Sequence, residues 1–357
     1  MIDKDNLINH LKTLVAFKTV EGNFAEQKKC LDYIKEQFTF YPFHIAEYES
    51  NGKPSLVLTT EKTKHPKIFL VAHIDVVPGK ESLFKLHADG DKIIGRGVCD
   101  MKFAIATYIC VLEALYKINK TLPSLGLMFT SEEEVEGNNG PGILLSEKGY
   151  SCDLAFIPDG GDNWHIVEEA RGILNVELKI GGKSAHGARP WKGESAITKL
   201  FQVGEKLKKM YPSSSEKYDV TINYGKISGG SAINQVADNA SLWLDIRYTP
   251  KVSETEIMKN LQTTFPDIKI EIFDSLPPFF INTQNKYIQQ WLQLINLQGN
   301  EKVFIKEDAA TDGPYFTENN IPVIISKPNG GDIHTEQEWI SLSSWIKFSE
   351  LLYLFLK

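Results

Sequence analysis

The alternation of strand-like and helix-like segments constrains the fold of this 357-residue chain more than any other feature. Apolar runs rich in β-branched residues predict strands, and the amphipathic runs between them predict helices. In the first half, the predicted strands lie near 43–48, 55–60, 67–75, 124–130 and 152–159, and the predicted helices near 5–17, 24–39 and 101–117. This alternation predicts an α/β domain with a mostly parallel sheet and helices on both of its faces.

A different order of segments occupies the middle of the chain. From 172 to 277 it reads strand, helix, strand, strand, helix, strand, which is the β-α-β-β-α-β order of a ferredoxin-like unit. The α/β pattern then resumes, with a helix near 284–298 and a strand at 302–306. Because 357 residues exceed what one core usually serves, we predict two domains. One is discontinuous and consists of 1–171 and 278–357, and the other is inserted at 172–277.

The bulk composition narrows the expected partners and compartment. A formal net charge of −7 without a basic stripe argues against nucleic-acid binding. The N-terminal residues lack the apolar core of a secretory signal, and no apolar run approaches the roughly 18 residues of a membrane span. The cysteines form no C-x-x-C pair, which is typical of a reducing compartment. We therefore expect a cytoplasmic protein with neither a nucleic-acid nor a membrane partner.

The segment "VAHIDVVPG" (71–79) places two polar residues at the end of an apolar strand. Because residues two apart in a strand point to the same face, His73 and Asp75 should project side by side. Burying both is costly unless something compensates them. They form either an internally satisfied pair or a metal-binding imidazole with the carboxylate that orients it. The segment alone leaves both interpretations open.

Further polar residues follow the other predicted strands, where the carboxyl ends of parallel strands meet. They are Asp100, Ser131, Glu132, Glu133, Glu134, Asp159 and His334. So many carboxylates at one edge would repel each other strongly without cations. Imidazole and carboxylate ligands without thiolate suit zinc, cobalt or manganese. The pattern therefore predicts two divalent metals, most simply zinc, in a hydrolase that polarises a carbonyl and activates water.

Seven motifs then occur in the order found in one metallopeptidase family. They are "HIDVVPG", "GRGVCDMK", "TSEEEVEG", "PDGG", "GKSAHGARP", "NQVADNASLWLDIR" and "HTEQEW". The chain resembles the group that contains aminoacylase, carboxypeptidase G, acetylornithine deacetylase and succinyl-diaminopimelate desuccinylase. The resemblance covers nearly the whole chain. It implies a zinc-peptidase-like α/β catalytic domain and an inserted ferredoxin-like dimerisation domain.

The resemblance also implies a role for each candidate residue of the metal centre. His73 and Asp159 would bind one metal, Glu134 and His334 the other, and Asp100 would bridge the two. Glu133 would be the general base, with Asp75 as the partner of His73. The resemblance further implies a cis peptide bond between Asp100 and Met101.

Three alternatives stay open for these assignments. The run of glutamates could be a solvated loop, as charge runs often are. A shift of one position would exchange Glu132 with Glu133. Asp162 competes with Asp159 for the same ligand position.

The resemblance gives the inserted domain three candidate residues. His186 would reach the active site of a neighbouring subunit and stabilise the oxyanion, which requires a homodimer formed through 172–277. Asn234 and Arg247 would bind the substrate. The alternatives are a satisfied loop histidine at His186 and a surface ion pair between Arg247 and Asp245.

The predicted function is hydrolysis of an amide or peptide bond next to a free carboxylate, in a small peptide or N-acyl amino acid. Pro314, in "ATDGPYF", stands where desuccinylases carry an arginine, and Asp159 stands where the deacylases carry glutamate. Both departures favour a dipeptidase or carboxypeptidase over a dedicated desuccinylase, and an N-acyl-amino-acid deacylase is the second candidate. A non-catalytic binding protein on the same fold is the alternative from another class.

Overall fold

The computed structural model describes residues 2–135, 138–212, 219–297, 304–309 and 311–357. The chain divides into two compact units. The first consists of Met1–Glu168, Ile281–Glu307 and Thr311–Lys357, and the second of Glu169–Phe280 and Asp308–Ala310. Residues 172 and 277, the predicted ends of the inserted domain, both lie within the second unit.

The elements of both units are named here in chain order. The helices are α1 (Lys4–Ala16), α2 (Phe24–Gln37), α3 (Lys102–Asn119), α4 (Ile143–Ser146), α5 (Ala196–Met210), α6 (Glu254–Thr264), α7 (Lys286–Asn296), α8 (Gly313–Glu318) and α9 (Leu342–Leu356). The strands are β1 (His44–Ser50), β2 (Lys53–Thr59), β3 (Ile68–His73), β4 (His87–Asp89), β5 (Lys92–Ile94), β6 (Leu125–Thr130), β7 (Leu154–Phe156), β8 (Ile166–Ala170), β9 (Gly172–Gly181), β10 (Val220–Gly229), β11 (Asn239–Tyr248), β12 (Lys269–Leu276), β13 (Phe279–Phe280), β14 (Phe304–Glu307), β15 (Val323–Ile324), β16 (Gly330–Gly331) and β17 (Trp339–Ser341).

The main sheet of the first unit has the strand order β1-β2-β6-β3-β7-β15. The pairs β6–β3, β3–β7 and β7–β15 are parallel, whereas β2 runs antiparallel to β1 and to β6. The central strands β3 and β6 are buried almost throughout, as expected for a sheet covered on both faces. The predicted α/β fold with a mostly parallel sheet is confirmed.

Helix α3 fixes the chain directly behind Asp100. Every side chain from Lys102 to Leu112 is buried, so the helix lies inside the unit rather than on its surface. The Tyr108 hydroxyl donates to the Val71 carbonyl of β3 at 2.9 Å. The buried Lys102 ammonium donates to the carbonyls of Leu14 and Phe17, at the end of α1. A position just before α3 is therefore held by both the sheet and α1.

A smaller sheet of the first unit, in the order β16-β17-β5-β4, was not predicted. Its strands have only two or three residues, too few to show a period in the sequence. Trp339 pairs with Ile94 and Ile340 with Ile93, so β17 lies beside β5. This pairing brings the segment that contains His334 next to the segment that leads to Asp100.

The second unit is an antiparallel sheet in the order β10-β11-β9-β12, with helices α5 and α6. Buried and half-buried residues alternate along β9 and β11, so one face of the sheet forms a core. Ser195 and Ser253 cap the two helices by accepting hydrogen bonds from the Thr198 and Glu256 amides. The element order is the predicted β-α-β-β-α-β.

The resumed α/β segment differs from the prediction only at its element ends. Helix α7 covers Lys286–Asn296, within the predicted 284–298, and residue 298 lies outside the described residues. Strand β14 covers Phe304–Glu307, and residues 302 and 303 of the predicted strand are also outside them. No helix in the described part of the chain is both long and apolar enough to cross a membrane.

Candidate metal centre

The predicted ligands of the first unit lie at the end of a structural element or in the segment next to it. His73 is the last residue of β3, while Glu134 and Asp159 follow β6 and β7. Because these three strands are parallel and adjacent, the polar residues that follow them gather at the same sheet edge. Asp100 precedes α3, and His334 lies between β16 and β17.

The five predicted ligands form two groups that share Asp100. In the first, His73 Nε2 lies 3.0 Å from Asp100 Oδ1 and 3.8 Å from Asp159 Oδ1. In the second, His334 Nε2 lies 2.9 Å from Glu134 Oε2 and 3.2 Å from Asp100 Oδ2. The three donor atoms of each group lie within 4.8 Å of one another, and either group could hold a metal ion.

Asp75 belongs to neither group but contacts one residue of each. His73 Nδ1 donates to the backbone carbonyl of Asp75 at 3.0 Å and lies 3.5 Å from its Oδ1. The other carboxylate oxygen of Asp75 accepts the Glu134 amide at 2.9 Å. The main chain of Asp75 is thus nearer to the imidazole than its carboxylate, and the carboxylate holds the segment that carries Glu134.

The three consecutive glutamates point in three directions. The Glu132 carboxylate is buried and accepts hydrogen bonds from the Asn139 and Gly140 amides. Glu133 Oε2 lies 3.8 Å from His73 Nε2, and its side chain is 17% exposed. Glu134 contacts His334. The segment is therefore not a solvated loop, and Glu133, not Glu132, faces the groups.

The charges of the centre shift each other's pKa values strongly. Burial and the nearby Asp100 raise the pKa of Asp159 to about 6, and burial with Asp159 holds the pKa of Glu133 well above its usual value. Hydrogen bonds to Asp100 and Glu134 raise the pKa of His334 to about 10. Burial lowers the pKa of His73, but its contacts with Asp100, Asp159 and Asp75 outweigh burial and raise it well above 6.5. Without a cation, the centre retains protons.

These shifts predict how the stability of the metal-free protein depends on pH. The raised pKa of His334 gives a stabilising contribution that is complete below 6.5 and is lost as the pH rises through about 10. The raised pKa of Asp159 acts in the same direction, because its ionisation in the folded protein becomes costly between 3.8 and about 6. We therefore expect the melting temperature after chelation to fall as the pH rises across these ranges. An increase would contradict these shifts.

Two buried polar residues near the groups were missed by the sequence analysis. Burial, together with the charges of Asp159 and Asp75, raises the pKa of Asp312 to about 8, against the opposing effect of His73. Lys327 Nζ lies 3.3 Å from Asp162 Oδ1, and Asp162 lies outside both groups. The sequence gives no signal for either, because a single buried charge has no period or motif.

The three candidate residues of the inserted domain lie in the second unit. His186 is exposed, and its Nδ1 accepts the Ala188 amide at 3.1 Å. Asn234 is exposed, and its backbone carbonyl accepts the Gly187 amide at 2.7 Å. Arg247 is half-buried and pairs with Asp245 at 2.7 Å, which is the alternative that the sequence left open.

The sequence matches peptidase family M20/M25/M40 over residues 69–357. The chain belongs to this family. The predicted resemblance is thereby confirmed, and the matched range contains every candidate residue of the metal centre.

Individual relatives within the family cover different shares of the chain. A probable carboxypeptidase of Paracoccidioides lutzii is 33% identical over 233 residues, which are 57% of this chain and 52% of the relative. The chain thus spans about half the length of the carboxypeptidases that it matches. A succinyl-diaminopimelate desuccinylase of Rickettsia bellii is 22% identical over 377 residues, covering 97% of this chain and 95% of the relative.

A solved structure shows the same fold. A tripeptidase from Staphylococcus aureus matches with a TM-score of 0.84 and 23% identity, covering 100% of this chain and 98% of the other.

The centre of this M20/M25/M40 family member suits a pair of divalent ions. Each group offers one imidazole nitrogen and two carboxylate oxygens, a donor set that zinc, cobalt and manganese accept. Asp100 presents one oxygen to each histidine, the arrangement that a carboxylate shared by two ions requires. The imidazole of His73 is oriented by Asp75, as is usual for a metal-binding histidine. The residues therefore fit the metals implied by the sequence.

Proposed function

We propose that this protein is a metal-dependent hydrolase that cleaves an amide or peptide bond next to a free carboxylate. The observation that supports this best is the sharing of Asp100 between two histidine-carboxylate groups, with a further carboxylate, Glu133, beside them. Metal binding accounts for the five residues of the two groups, and catalysis accounts for Glu133.

In this proposal the ligands divide as the two groups do. His73 and Asp159 would hold one metal, Glu134 and His334 would hold the other, and Asp100 would serve both. When bound, the metals polarise the scissile carbonyl and acidify water. Zinc is the ion we propose, with cobalt or manganese as substitutes.

Glu133 carries the proton in this reaction. Its carboxylate is outside both groups but close to His73, and it is partly exposed, so water and substrate can reach it. A carboxylate in this position can first accept a proton and then release it. Glu133 takes the proton from the attacking water and returns it to the leaving amine.

The substrate we propose is a dipeptide or another short peptide with a free carboxylate. Pro314 and Asp159 support this choice over a desuccinylase, and the names of the carboxypeptidase and tripeptidase relatives agree with it. An N-acyl amino acid is the alternative substrate, favoured by the desuccinylase relative.

A hydrolysis panel tests the proposed function. Dipeptides and N-acetyl amino acids would be compared with chelated protein to which zinc, cobalt or manganese is returned. We expect turnover only with metal, and faster turnover of dipeptides. Faster turnover of N-acetyl amino acids would favour the deacylase. Binding of substrate and metal without turnover of any compound would contradict an enzyme.

The second unit is the dimerisation domain in this proposal, within a cytoplasmic homodimer. Strand β10 is an edge of its sheet, and an exposed edge tends to pair with another chain. Ile227 of this strand and Phe201 of α5 line the same surface, and their side chains are 57% and 61% exposed. A second copy that packs on the same surface about a two-fold axis would cover both the edge and these side chains.

Mixing two inactive variants tests whether His186 acts on the partner subunit. In a dimer of His186→Ala and Glu133→Gln subunits, one active site would inherit both defects and the other neither. We expect the purified mixed dimer to recover about half of the wild-type activity per dimer, which reflects one intact site of two. Subunit exchange without recovery would place His186 in its own active site or outside the mechanism.

A further inference from the structure

The main chain that leads into Asp100 is held by one buried carboxylate. Glu338 is 1% exposed, and its Oε2 accepts the Gly97 amide at 2.9 Å. Its Oε1 accepts the amides of Cys99 and Asp100 at 3.0 and 3.2 Å. Three of the four amides from Gly97 to Asp100 therefore end on the same side chain.

The position of Glu338 explains why it can reach these amides. It directly precedes β17, which pairs with β5. The Glu338 carbonyl accepts the Gly95 amide at 3.2 Å, at the end of this pairing. Beyond that point the chain turns through Gly97, whose φ of +80° favours glycine. The main chain of β17 thus pairs with β5 up to Gly95, and the Glu338 side chain accepts the amides of the turn that follows.

The ionised form of Glu338 is required by its contacts. Besides the three amides, Oε2 accepts Arg96 Nη1 at 2.8 Å, and Arg96 is itself only 3% exposed. All four contacts are donors, so each carboxylate oxygen must accept two hydrogen bonds. A glutamine at this position would turn an NH₂ group towards two of these donors and leave them unpaired.

The same residue links both groups of the metal centre. Asp100, shared by the groups, receives its main-chain support from Glu338. His334 lies only four residues before Glu338 in the segment that β17 and Glu338 anchor. A movement of Glu338 would therefore change the distance between Asp100, the shared ligand, and His334.

We propose that Glu338 is a positioning residue of the metal centre, which holds the main chain of residues 97–100 so that each Asp100 oxygen meets its own group. This inference rests on the proposed metal-dependent function. Glu338 acts through Asp100 and does not touch the substrate. The sequence motif "HTEQEW" had supplied only His334 as a candidate residue.

Cobalt titration of the Glu338→Gln variant tests the proposal. Outer partners of metal ligands typically contribute about 10- to 100-fold in metal affinity, so we expect a loss of this size and a changed visible spectrum of the bound cobalt. In the hydrolysis assay, kcat should fall with little change in KM. The matched control is Thr107→Val, which removes a buried hydroxyl that contacts Trp345 and Ser349 of α9. The control should lose thermal stability but keep the cobalt affinity and spectrum.

The outcomes separate this inference from the proposed function. If the wild-type protein takes up no cobalt, the proposed function fails. If it does and Glu338→Gln has the same affinity and spectrum, only the positioning role is overturned. Should Glu338→Gln not fold, Glu338→Asp, which keeps the charge on a shorter side chain, is measured in the same way with the same expected loss. In the metal-free wild-type protein, the amides of Gly97, Cys99 and Asp100 should exchange slowly with deuterium, and fast exchange would also overturn the proposal.

Discussion

Replacing Glu133 by glutamine should remove most of the turnover and leave both metals bound. An amide of the same shape cannot accept the proton of the attacking water, and general acid–base catalysis typically contributes about 10²- to 10⁴-fold. The metal content should not change, because Glu133 is a member of neither group of donor atoms. The measurements are kcat on the best dipeptide and the metal content after dialysis.

The neighbouring residue supplies the control for this prediction. Glu134→Gln removes an equal charge one position away but alters the group that contains His334, so it should lose metal as well as activity. The metal-free Glu133→Gln protein should melt above the wild type at neutral pH, because the raised pKa of Glu133 makes its ionised form costly in the folded state. Loss of metal in Glu133→Gln, with metal retained in Glu134→Gln, would mean that the two roles are exchanged.

Three of the five predicted ligands lie at or just after the end of a strand of the main sheet. His73 ends an apolar run, and Glu134 and Asp159 follow two others, so each strand end marks a short segment that contains a ligand. The resemblance then chose Glu134 and Asp159 among the carboxylates of those segments. Parallel pairing then brings the three ends together without any further information. The Asp100–Met101 peptide bond is cis, as the resemblance implied.

The parts that the sequence did not predict depend on contacts between distant segments. Glu338 resembles a surface charge in the sequence, and only the pairing of β17 with β5 brings it under the amides of Gly97 and Asp100. Lys327 and Asp312 are buried by the packing of the first unit. Lys327 follows the apolar run "IPVIIS", but a lysine at a strand end usually reaches solvent, and Asp312 has no apolar run beside it. A hydrophobic period marks which apolar residues enter a core, but it does not mark the charges that enter with them.

In the second unit the sequence pattern predicts the fold but not the chemistry. Its β-α-β-β-α-β order follows from alternation and amphipathic helices alone, and the structure has that order. The chemistry assigned to it came only from the resemblance. Arg247 is an example. Its position in a strand puts it on the same face as Asp245, and the two side chains pair in the structure, so the strand pattern alone predicts an ion pair and no substrate contact.

Asp100→Asn, which replaces one carboxylate oxygen by an NH₂ group, should weaken metal binding at both positions. One Asp100 oxygen faces His73 and the other faces His334, so an amide must turn its NH₂ group towards one of the two groups. That nitrogen cannot bind a metal. Because even outer partners of metal ligands contribute about 10- to 100-fold in affinity, the loss of a shared ligand should exceed this range. Metal content after dialysis and hydrolysis of the best dipeptide are the measurements.

The control for Asp100→Asn is Asp162→Asn. It also removes one carboxylate charge from the same unit, but Asp162 lies outside both groups and pairs with Lys327. If net charge alone retained the metals, the two variants would lose them equally. If the shared ligand retains them, only Asp100→Asn loses metal and activity, and Asp162→Asn keeps both. Asp100 raises the pKa values of His73 and His334, so both histidines are charged at about pH 6 in the metal-free protein. Because Asp100→Asn removes the charge that stabilises them, it should also lower the melting temperature at this pH. Wild-type metal content in Asp100→Asn would exclude a shared ligand at this position.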